Sequence, residues 1–152
     1  MLSDESSKSK EEYGELYKEH QFEQYKIFIC SAEKISDMRI NINKFFITIN
    51  SIIVTVLGLF LDNLSWAICL IPILGITISI LWIKNITSYS KLNSVKFEII
   101  NEIENILPLS MFKKEWDKLK DDKKYNTLSN IEKKTPYVFI ILYIVLFFKL
   151  IH

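Results

Sequence analysis

The side chains best suited to chemistry are few and scattered along the chain. Two histidines, two cysteines and three glycines leave little material for a catalytic centre. The sequence contains no Gly-rich phosphate loop, no nucleophile elbow and no closely spaced cysteine pair. We therefore expect no catalytic residue and no cofactor, and we predict that the protein is not an enzyme.

The best metal-ligand candidates are Glu19, His20 and Glu23 on one helix, with Cys30 further along. The spacing of three between His20 and Glu23 places both on one side of a helix. However, His20 also lies on the apolar face near Tyr17, where a packed, hydrogen-bonded histidine is the usual outcome. We therefore expect no bound metal.

Two uncharged apolar runs, Phe45–Leu61 and Trp66–Ile83, dominate the middle of the chain and are separated by only four residues. As helices they would reach about 25–27 Å, close to the ~30 Å hydrocarbon core of a bilayer. They predict a transmembrane hairpin over residues 45–83. Because intramembrane charge marks pumps and transporters, its absence from both runs argues against ion coupling by carboxylates.

Each run carries a stripe of small or weakly polar residues, which allow helices to approach closely in lipid. We predict that the two stripes face each other and pack the hairpin. The alternative is that the hydroxyl groups of the first stripe line a passive pore. The first stripe consists of Thr48, Ser51, Thr55 and Gly58, and the second of Pro72, Gly75 and Ser79.

Asn50 lies on a different side of the first span, at a depth where its amide needs a hydrogen-bond partner. Two alternatives remain open for this partner. One is Asn50 of a neighbouring copy, and the other is its own backbone or the second span.

Polar segments flank the hairpin. Residues 1–10 are predicted to be disordered, whereas residues 11–44 show helical periodicity with no proline and one early glycine, Gly14, and no breaker separates Lys44 from Phe45. Residues 84–134 form a second cytoplasmic helical region with apolar residues spaced three and four apart up to Pro108. We expect its first helix to pair with residues 11–44 in antiparallel fashion.

The first amphipathic helix has one main apolar face and a thinner stripe of Phe22, Ile29 and Ile40. Two stripes indicate contact with two neighbours, one of them from another protomer; the alternative is one broad core face. The residues expected to mediate oligomerisation are Tyr17, Phe28, Ile35, Asn50, Ile99 and Ile103.

The C-terminal segment, residues 135–152, is predicted to be embedded in the membrane. Its apolar run Tyr137–Phe148 covers only ~18 Å, so re-entrant and spanning arrangements both remain open. The sequence predicts three helix starts in this half of the chain: Ser110 as an N-cap, Ser129 in a capping box, and Thr135 as an N-cap followed by Pro136.

Lysines concentrate in the two polar segments and are absent from the hairpin turn. By the positive-inside rule, both segments and the N-terminus are cytoplasmic. A net charge of +1 and a single arginine argue against a nucleic-acid partner. Lys133 and Lys134 beside the third run are either contacts for anionic lipid head groups or a solvated flank. Aromatic residues near the run ends indicate interface anchors: Phe45, Phe46, Trp66, Trp82, Tyr89 and Tyr137.

Together these features predict an all-α membrane protein that forms a homo-oligomer in contact with membrane lipid. It would have a transmembrane helical hairpin, long amphipathic cytoplasmic helices and a C-terminal membrane-embedded helix.

An ordered series of short blocks between residues 13 and 145 resembles the RipA family of small bacterial inner-membrane proteins. No single block is diagnostic, and the order of the whole series carries the resemblance. The blocks include Tyr17–Lys26, Ala32–Asp37, Asn43, Phe45-Phe46, Asn50, Trp82, Ser88-Tyr89, Leu92–Ser94, Lys96-Phe97, Glu102–Glu104, Leu107-Pro108, Glu115-Trp116, Lys124-Tyr125, Ile131-Glu132 and Pro136–Phe139.

This resemblance implies a multi-pass protein of the bacterial inner (cytoplasmic) membrane that assembles as an octamer. It also implies a role in envelope or membrane homeostasis and in survival within host cells, together with an unidentified membrane or cytoplasmic protein partner. The family has no established catalytic residues. The layout is also similar to that of the two-span SLATT effectors, which are thought to form pores; this analogy gives the alternative of a pore or channel.

Overall fold

A computed structural model describes residues 9–59, 68–121 and 128–151, with only the backbone described at 128–131. In these ranges every element is an α-helix, in agreement with the predicted all-α fold. The helices are α1 (Lys10–Tyr13), α2 (Tyr17–Leu59), α3 (Leu70–Glu104), α4 (Met111–Asp121) and α5 (Leu128–Ile151). Residues 1–8 of the predicted disordered segment, the hairpin turn at 62–65 and the side chain of Ser129 lie outside this description.

The short helix α1 is defined by its two ends. The Ser9 hydroxyl accepts a hydrogen bond from the Glu12 backbone, and the Glu12 carboxylate accepts one from the Ser9 backbone, which completes a capping box. Gly14 ends the helix with a φ of 91°, a conformation that favours glycine. Ser9 and Lys10 therefore belong to an ordered helix start, although the sequence grouped them with the disordered N-terminus.

The chain folds into two compact units. In the described ranges, the unit named here the polar unit comprises residues 9–36 and 92–121. The membrane unit comprises residues 37–59, 68–91 and 128–151. Helices α2 and α3 contribute to both units, because neither helix breaks at the predicted boundary between its polar and its apolar segment.

In the polar unit, α2 and α3 run antiparallel, as the sequence predicts. Tyr25 near the start of α2 bonds to Glu104 at the end of α3, and Ser31 further along α2 bonds to Lys96 earlier in α3. A core forms between them from Tyr25, Ala32 and Ile100, with Phe28, Ile29, Phe97, Ile103, Leu107 and Phe112 packed around it.

Among the described residues, three helices are long and apolar enough to cross a bilayer, and the membrane unit contains segments of all of them: Tyr17–Leu59, Leu70–Glu104 and Glu132–Ile151. Helix α5 runs parallel to α2, since Arg39 contacts Glu132 and Asn50 contacts Tyr143 at the same sequence separation of 93 residues. The eleven residues between the two contacts correspond to about 16 Å of helix. Leu57, Tyr143 and Leu150 form the core of this unit.

The third apolar run belongs to a longer helix than the sequence indicates. Helix α5 begins at Leu128 and passes through Pro136, so the prediction that Thr135 and Pro136 start a helix is wrong. Proline removes one backbone donor inside the helix, and membrane helices tolerate this loss where neighbouring groups compensate. Pro136 is buried in the membrane unit.

Candidate functional site

The fully buried Asn50 joins all three helices of the membrane unit. Its side-chain oxygen accepts hydrogen bonds from the Ser79 hydroxyl of α3 at 3.1 Å and from the Tyr143 hydroxyl of α5 at 2.9 Å. Its side-chain nitrogen donates to the carbonyl of Phe46 at 2.8 Å. Of the two alternatives for Asn50, the structure shows the one within the chain, with bonds to its own backbone, the second span and α5.

Gly75 provides the space that Tyr143 occupies. A Cβ atom at Gly75 would overlap the ring of Tyr143, whereas a Cβ atom at Gly58 would meet nothing within 4 Å. The Ser79 hydroxyl also reaches the Gly75 carbonyl at 2.9 Å. The second predicted stripe, Pro72, Gly75 and Ser79, is thus buried, and its central glycine receives an aromatic ring from α5.

A second polar contact involves Asn43, which lies two helical turns before Asn50 on α2. The indole nitrogen of Trp82 donates to the side-chain oxygen of Asn43 at 2.8 Å, and both residues are buried. The Trp82 ring stacks on Phe46 at a centroid distance of 5.7 Å and meets Phe139 of α5 at 6.1 Å. Trp82 is therefore a packing residue, and the prediction that it anchors the lipid interface is wrong.

A third contact is the ion pair of Arg39 on α2 and Glu132 on α5. Their side chains approach to 3.4 Å and are mostly buried. Arg39, Asn43 and Asn50 follow one another at spacings of four and seven, so they lie on one face of α2. Each of these polar side chains contacts another helix. Arg39 forms an ion pair with Glu132, Asn43 accepts a hydrogen bond from Trp82, and Asn50 accepts hydrogen bonds from Ser79 and Tyr143.

The first predicted stripe lies on the outside of the chain. Thr48, Ser51, Thr55 and Gly58 are all exposed, so they do not face the second stripe as the sequence predicts. Helix α2 uses the face of Asn43, Asn50 and Leu57 for packing, which turns the hydroxyl stripe outward. The hydroxyls of Thr48 and Thr55 donate to carbonyls one turn earlier. Thr48, Ser51 and Thr55 line a shallow groove together with Ile47, Ile52 and Val56.

The polar unit contains a buried carboxylate, Glu104, at the end of α3. This side chain accepts from the Tyr25 hydroxyl at 3.0 Å and from the backbone nitrogens of Met111, Phe112 and Lys113 at 3.0–3.3 Å. These three nitrogens begin α4 and have no partner inside that helix. A negative charge at a helix N-terminus is also favoured by the helix dipole. Glu104 therefore attaches α4 to the α2–α3 pair.

Two residues that contact Glu104 are the buried Tyr25 and the half-buried Ser110. Burial raises the pKa of the Tyr25 hydroxyl to about 12, and the hydrogen bond to Glu104 and the charge of that carboxylate act in the same direction. The hydroxyl of Ser110, predicted as the cap of α4, donates instead to the backbone carbonyl of Glu104 at 3.2 Å.

The residues expected to mediate assembly occupy different environments. Phe28 and Ile103 pack against the core of the polar unit, and Asn50 is buried in the membrane unit. Tyr17, Ile35 and Ile99 are half-buried. Of the thinner stripe, Phe22 and Ile40 remain exposed, whereas Ile29 packs against the core of the polar unit.

The metal candidates do not converge. The His20 ring nitrogen Nδ1 shares a 2.8 Å hydrogen bond with the Tyr13 hydroxyl, and Cys30 is exposed. Among the residues that the structure describes, no group of three His, Cys, Asp or Glu side chains is arranged to hold a metal ion.

Sequence reasoning missed five residues of these contacts: Arg39 and Glu132 as an ion pair, Glu104, Tyr143, and Trp82 as a hydrogen-bond donor. Tyr143 carries one usable signal, since a hydroxyl in the middle of an apolar run needs a partner. Glu104 gives no comparable signal, because glutamates are frequent throughout the polar segments.

An all-helical chain with three apolar helices of spanning length, bonded to one another through buried polar groups, is an integral membrane protein. The sequence matches the family model of the octameric membrane protein family, 8xMP, over residues 22–152, and the chain belongs to this family. The match covers α3, α4, α5 and most of α2. No curated protein and no solved structure matches the chain significantly.

Proposed function

We propose that the protein is a non-enzymatic octameric scaffold or regulator of the bacterial inner membrane, with a RipA-like role in envelope homeostasis and survival within host cells. The observation that carries the proposal is the use of the polar groups in the membrane unit. The amides of Asn43 and Asn50 and the hydroxyls of Ser79 and Tyr143 are engaged in bonds between helices. Such bonds favour a rigid helical unit over a substrate site.

The proposed topology follows from helix direction and charge. Helices α2, α3 and α5 would each cross the membrane, since α5 accompanies α2 from Arg39 to Leu57 and is of spanning length. The N-terminus would be cytoplasmic under the positive-inside rule. In a variant that carries Glu15→Cys and in which both native cysteines are replaced (Cys30→Ser, Cys69→Ser), attachment of a membrane-impermeant thiol reagent only after cell lysis would support this orientation. Labelling of intact cells would contradict it.

The exposed apolar residues of the polar unit favour contact between copies. Phe22 is 49% exposed and Ile27 is 68% exposed, although this part of α2 belongs to the polar unit. Since the family is octameric, a second copy is the natural cover for apolar surface in water. We include Phe22 in the proposed assembly surface, beside the half-buried Tyr17, Ile35 and Ile99.

Mass measurement in detergent tests the assembly surface. Light scattering of purified Phe22→Glu should give a mass below that of the wild-type octamer. The matched control is Gln24→Glu, which adds the same charge two residues away at an exposed position that is already polar, and it should keep the octamer. Equal masses for the two variants and the wild type would exclude Phe22 from the assembly surface.

Complementation tests the scaffold role. In cells that lack the gene, wild-type protein should restore envelope integrity, and His20→Ala should restore it equally. A Phe22→Glu variant that is present in the membrane but fails to assemble should not restore it. If His20→Ala lost function while keeping its octameric mass, a chemical role would be supported and the scaffold proposal would fail.

The second candidate function is a pore, favoured by the outward hydroxyl stripe of α2. Thr48, Ser51 and Thr55 remain exposed because the opposite face of α2 packs within the chain. Ion flux through liposomes containing the octamer should then be present and should fall in Thr48→Leu. The control is Thr77→Leu, an exposed threonine of α3 with the same backbone hydrogen bond. Absence of leak at any applied potential would remove the pore.

A further inference from the structure

Basic and acidic residues are segregated between the two units, although the net charge of the whole chain is only +1. In the described polar unit, acidic residues outnumber basic ones by twelve to nine. In the described membrane unit, seven basic residues face two acidic ones, Asp37 and Glu132. The seven basic residues are Arg39, Lys44, Lys84, Lys91, Lys133, Lys134 and Lys149.

Four of these lysines lie at one level of the membrane unit. The contact of Arg39 with Glu132 places Lys133 and Lys134 close to the level of Arg39. The bond of Asn43 to Trp82 brings Lys44, one residue after Asn43, and Lys84, two residues after Trp82, to within about 5 Å of one another along the helix axes. Five residues of α2 separate Arg39 from Lys44, which is about 8 Å of helix. All four lysines therefore fit within the head-group layer of one leaflet, a few ångströms to ~8 Å thick.

The residues around these lysines are the kinds found beside a lipid head-group layer. Lys44, Lys84 and Lys134 are exposed and Lys133 is half-buried, and within the described residues none of the four forms an ion pair. Phe45 follows Lys44 and is 58% exposed, and Tyr137 of α5 is 53% exposed. Tyrosine side chains concentrate at the membrane–water boundary, so Tyr137 supports this level, and Phe45 adds exposed apolar surface directly after Lys44. Of the two acidic residues of the unit, Glu132 is engaged by Arg39.

We propose that Lys44, Lys84, Lys133 and Lys134, named here the basic belt, bind anionic phospholipid head groups. Because these lysines are positively charged and the head groups are negatively charged, the protein retains anionic lipid in the leaflet where α2 enters the membrane. The lysine stems lie along apolar surface while their ammonium groups reach the phosphate layer. This inference requires only that the chain is embedded in a bilayer, and it is independent of the scaffold role.

Lipid association measured by spin-label spectroscopy tests the proposal. The full-length octamer is reconstituted in phosphatidylcholine with trace spin-labelled phosphatidylglycerol or spin-labelled phosphatidylcholine. The ratio of the two association constants should exceed one at low salt and fall as salt is raised. The association constant of an anionic lipid bound at the belt should fall by up to about fivefold for each lysine removed, which is equivalent to about 1 kcal/mol. Replacing all four lysines by glutamine should bring the ratio close to one.

The matched control removes the same number of charges from the polar unit and should leave the ratio unchanged. It consists of the replacements Lys18→Gln, Lys34→Gln, Lys114→Gln and Lys118→Gln. At constant ionic strength, a tenfold molar excess of inorganic phosphate over the labelled lipid should not displace that lipid, which separates a head-group site from a general anion site.

Three results would overturn the proposal: a wild-type ratio of one, an unchanged ratio in the belt variant, or an equal loss in the control. If the fourfold variant does not keep its octameric mass, the pairs Lys44→Gln/Lys84→Gln and Lys133→Gln/Lys134→Gln are measured separately. Each pair should lower the ratio part of the way, and no effect from either pair would also overturn the proposal.

Discussion

Gly75 is the position where one added methyl group should cost the membrane unit most. In Gly75→Ala the new Cβ overlaps the Tyr143 ring, so the ring must move. Overpacking of this kind costs about 1–3 kcal/mol. A displaced ring also gives up the hydrogen bond of its one hydroxyl hydrogen to Asn50, shared between the side-chain oxygen at 2.9 Å and the backbone oxygen at 3.2 Å and worth about 0.6 kcal/mol in a membrane. The better helix propensity of alanine returns at most about 1 kcal/mol.

The net expectation for Gly75→Ala is a loss of roughly 1–3 kcal/mol in the free energy of unfolding, about 5- to 150-fold in the unfolding equilibrium. Titration of the protein in mixed micelles with a denaturing detergent, followed by far-ultraviolet circular dichroism, measures this quantity. Gly58→Ala is the matched control, since its Cβ would meet nothing within 4 Å. It should change the stability by less than about 1 kcal/mol, in the stabilising direction.

A double-mutant cycle identifies Tyr143 as the cause. Tyr143→Leu removes the ring, so adding it to Gly75→Ala should cost less than adding it to the wild type, because the overlap is relieved. Equal stabilities of Gly75→Ala and Gly58→Ala would refute the reasoning. Strict additivity of the two changes in the cycle would show that the added methyl group does not displace the ring.

Three further predictions concern the other buried polar groups. Glu104→Gln should lower the free energy of unfolding by about 1–3 kcal/mol, because an amide cannot replace a carboxylate that accepts from four donors. The control Glu98→Gln, at an exposed position, should stay near wild type, and equal melting temperatures of the two variants would refute this reasoning. Since the pKa of Tyr25 is raised from 10.0 to about 12, the folded state holds that proton longer than the unfolded state, so the stability it contributes is complete below pH 10 and is lost as pH rises toward 12. The melting-temperature advantage of wild type over Tyr25→Phe should therefore shrink over this window, and an advantage that stays constant would contradict the pKa. Trp82→Phe should destabilise by about 1–3 kcal/mol in the same detergent titration, because the Asn43 oxygen loses its donor; a wild-type midpoint would show that the bond contributes nothing.

The sequence predicts the positions of the helices better than it predicts which face of each helix packs inside the chain. Long uncharged runs and three-and-four spacing identify α2 and α3, because apolar length and period depend on local residues alone. The direction in which Thr48, Ser51 and Thr55 point does not follow from local residues. Small residues indicate that something can approach closely, and they do not identify the element that does so. Here the ring of Tyr143 from α5 takes the position beside Gly75 that the first stripe was expected to fill.

The polar contacts could be predicted only in part for the same reason. The need of Asn50 for a partner follows from its depth in an apolar run, but its partner Tyr143 is 93 residues away. Glu104 is one of many acidic residues in the polar segments, and its burial depends on how α4 folds back after Pro108. Such a contact is decided by tertiary packing, which a residue-by-residue pattern does not contain.

The polar face of α2 has a consequence for the vertical alignment of the bundle. Apolar helices in lipid can slide past one another at little cost, since one leucine neighbour is nearly as good as another. Sliding α5 by one turn, about 5.4 Å, would put Phe139 or Phe147 beside Asn50 and would separate Glu132 from Arg39 in the same movement. The two polar contacts lie eleven residues apart on both helices, so a shift of α5 in either direction breaks both contacts together. Only one vertical alignment of α5 against α2 satisfies all of these polar groups.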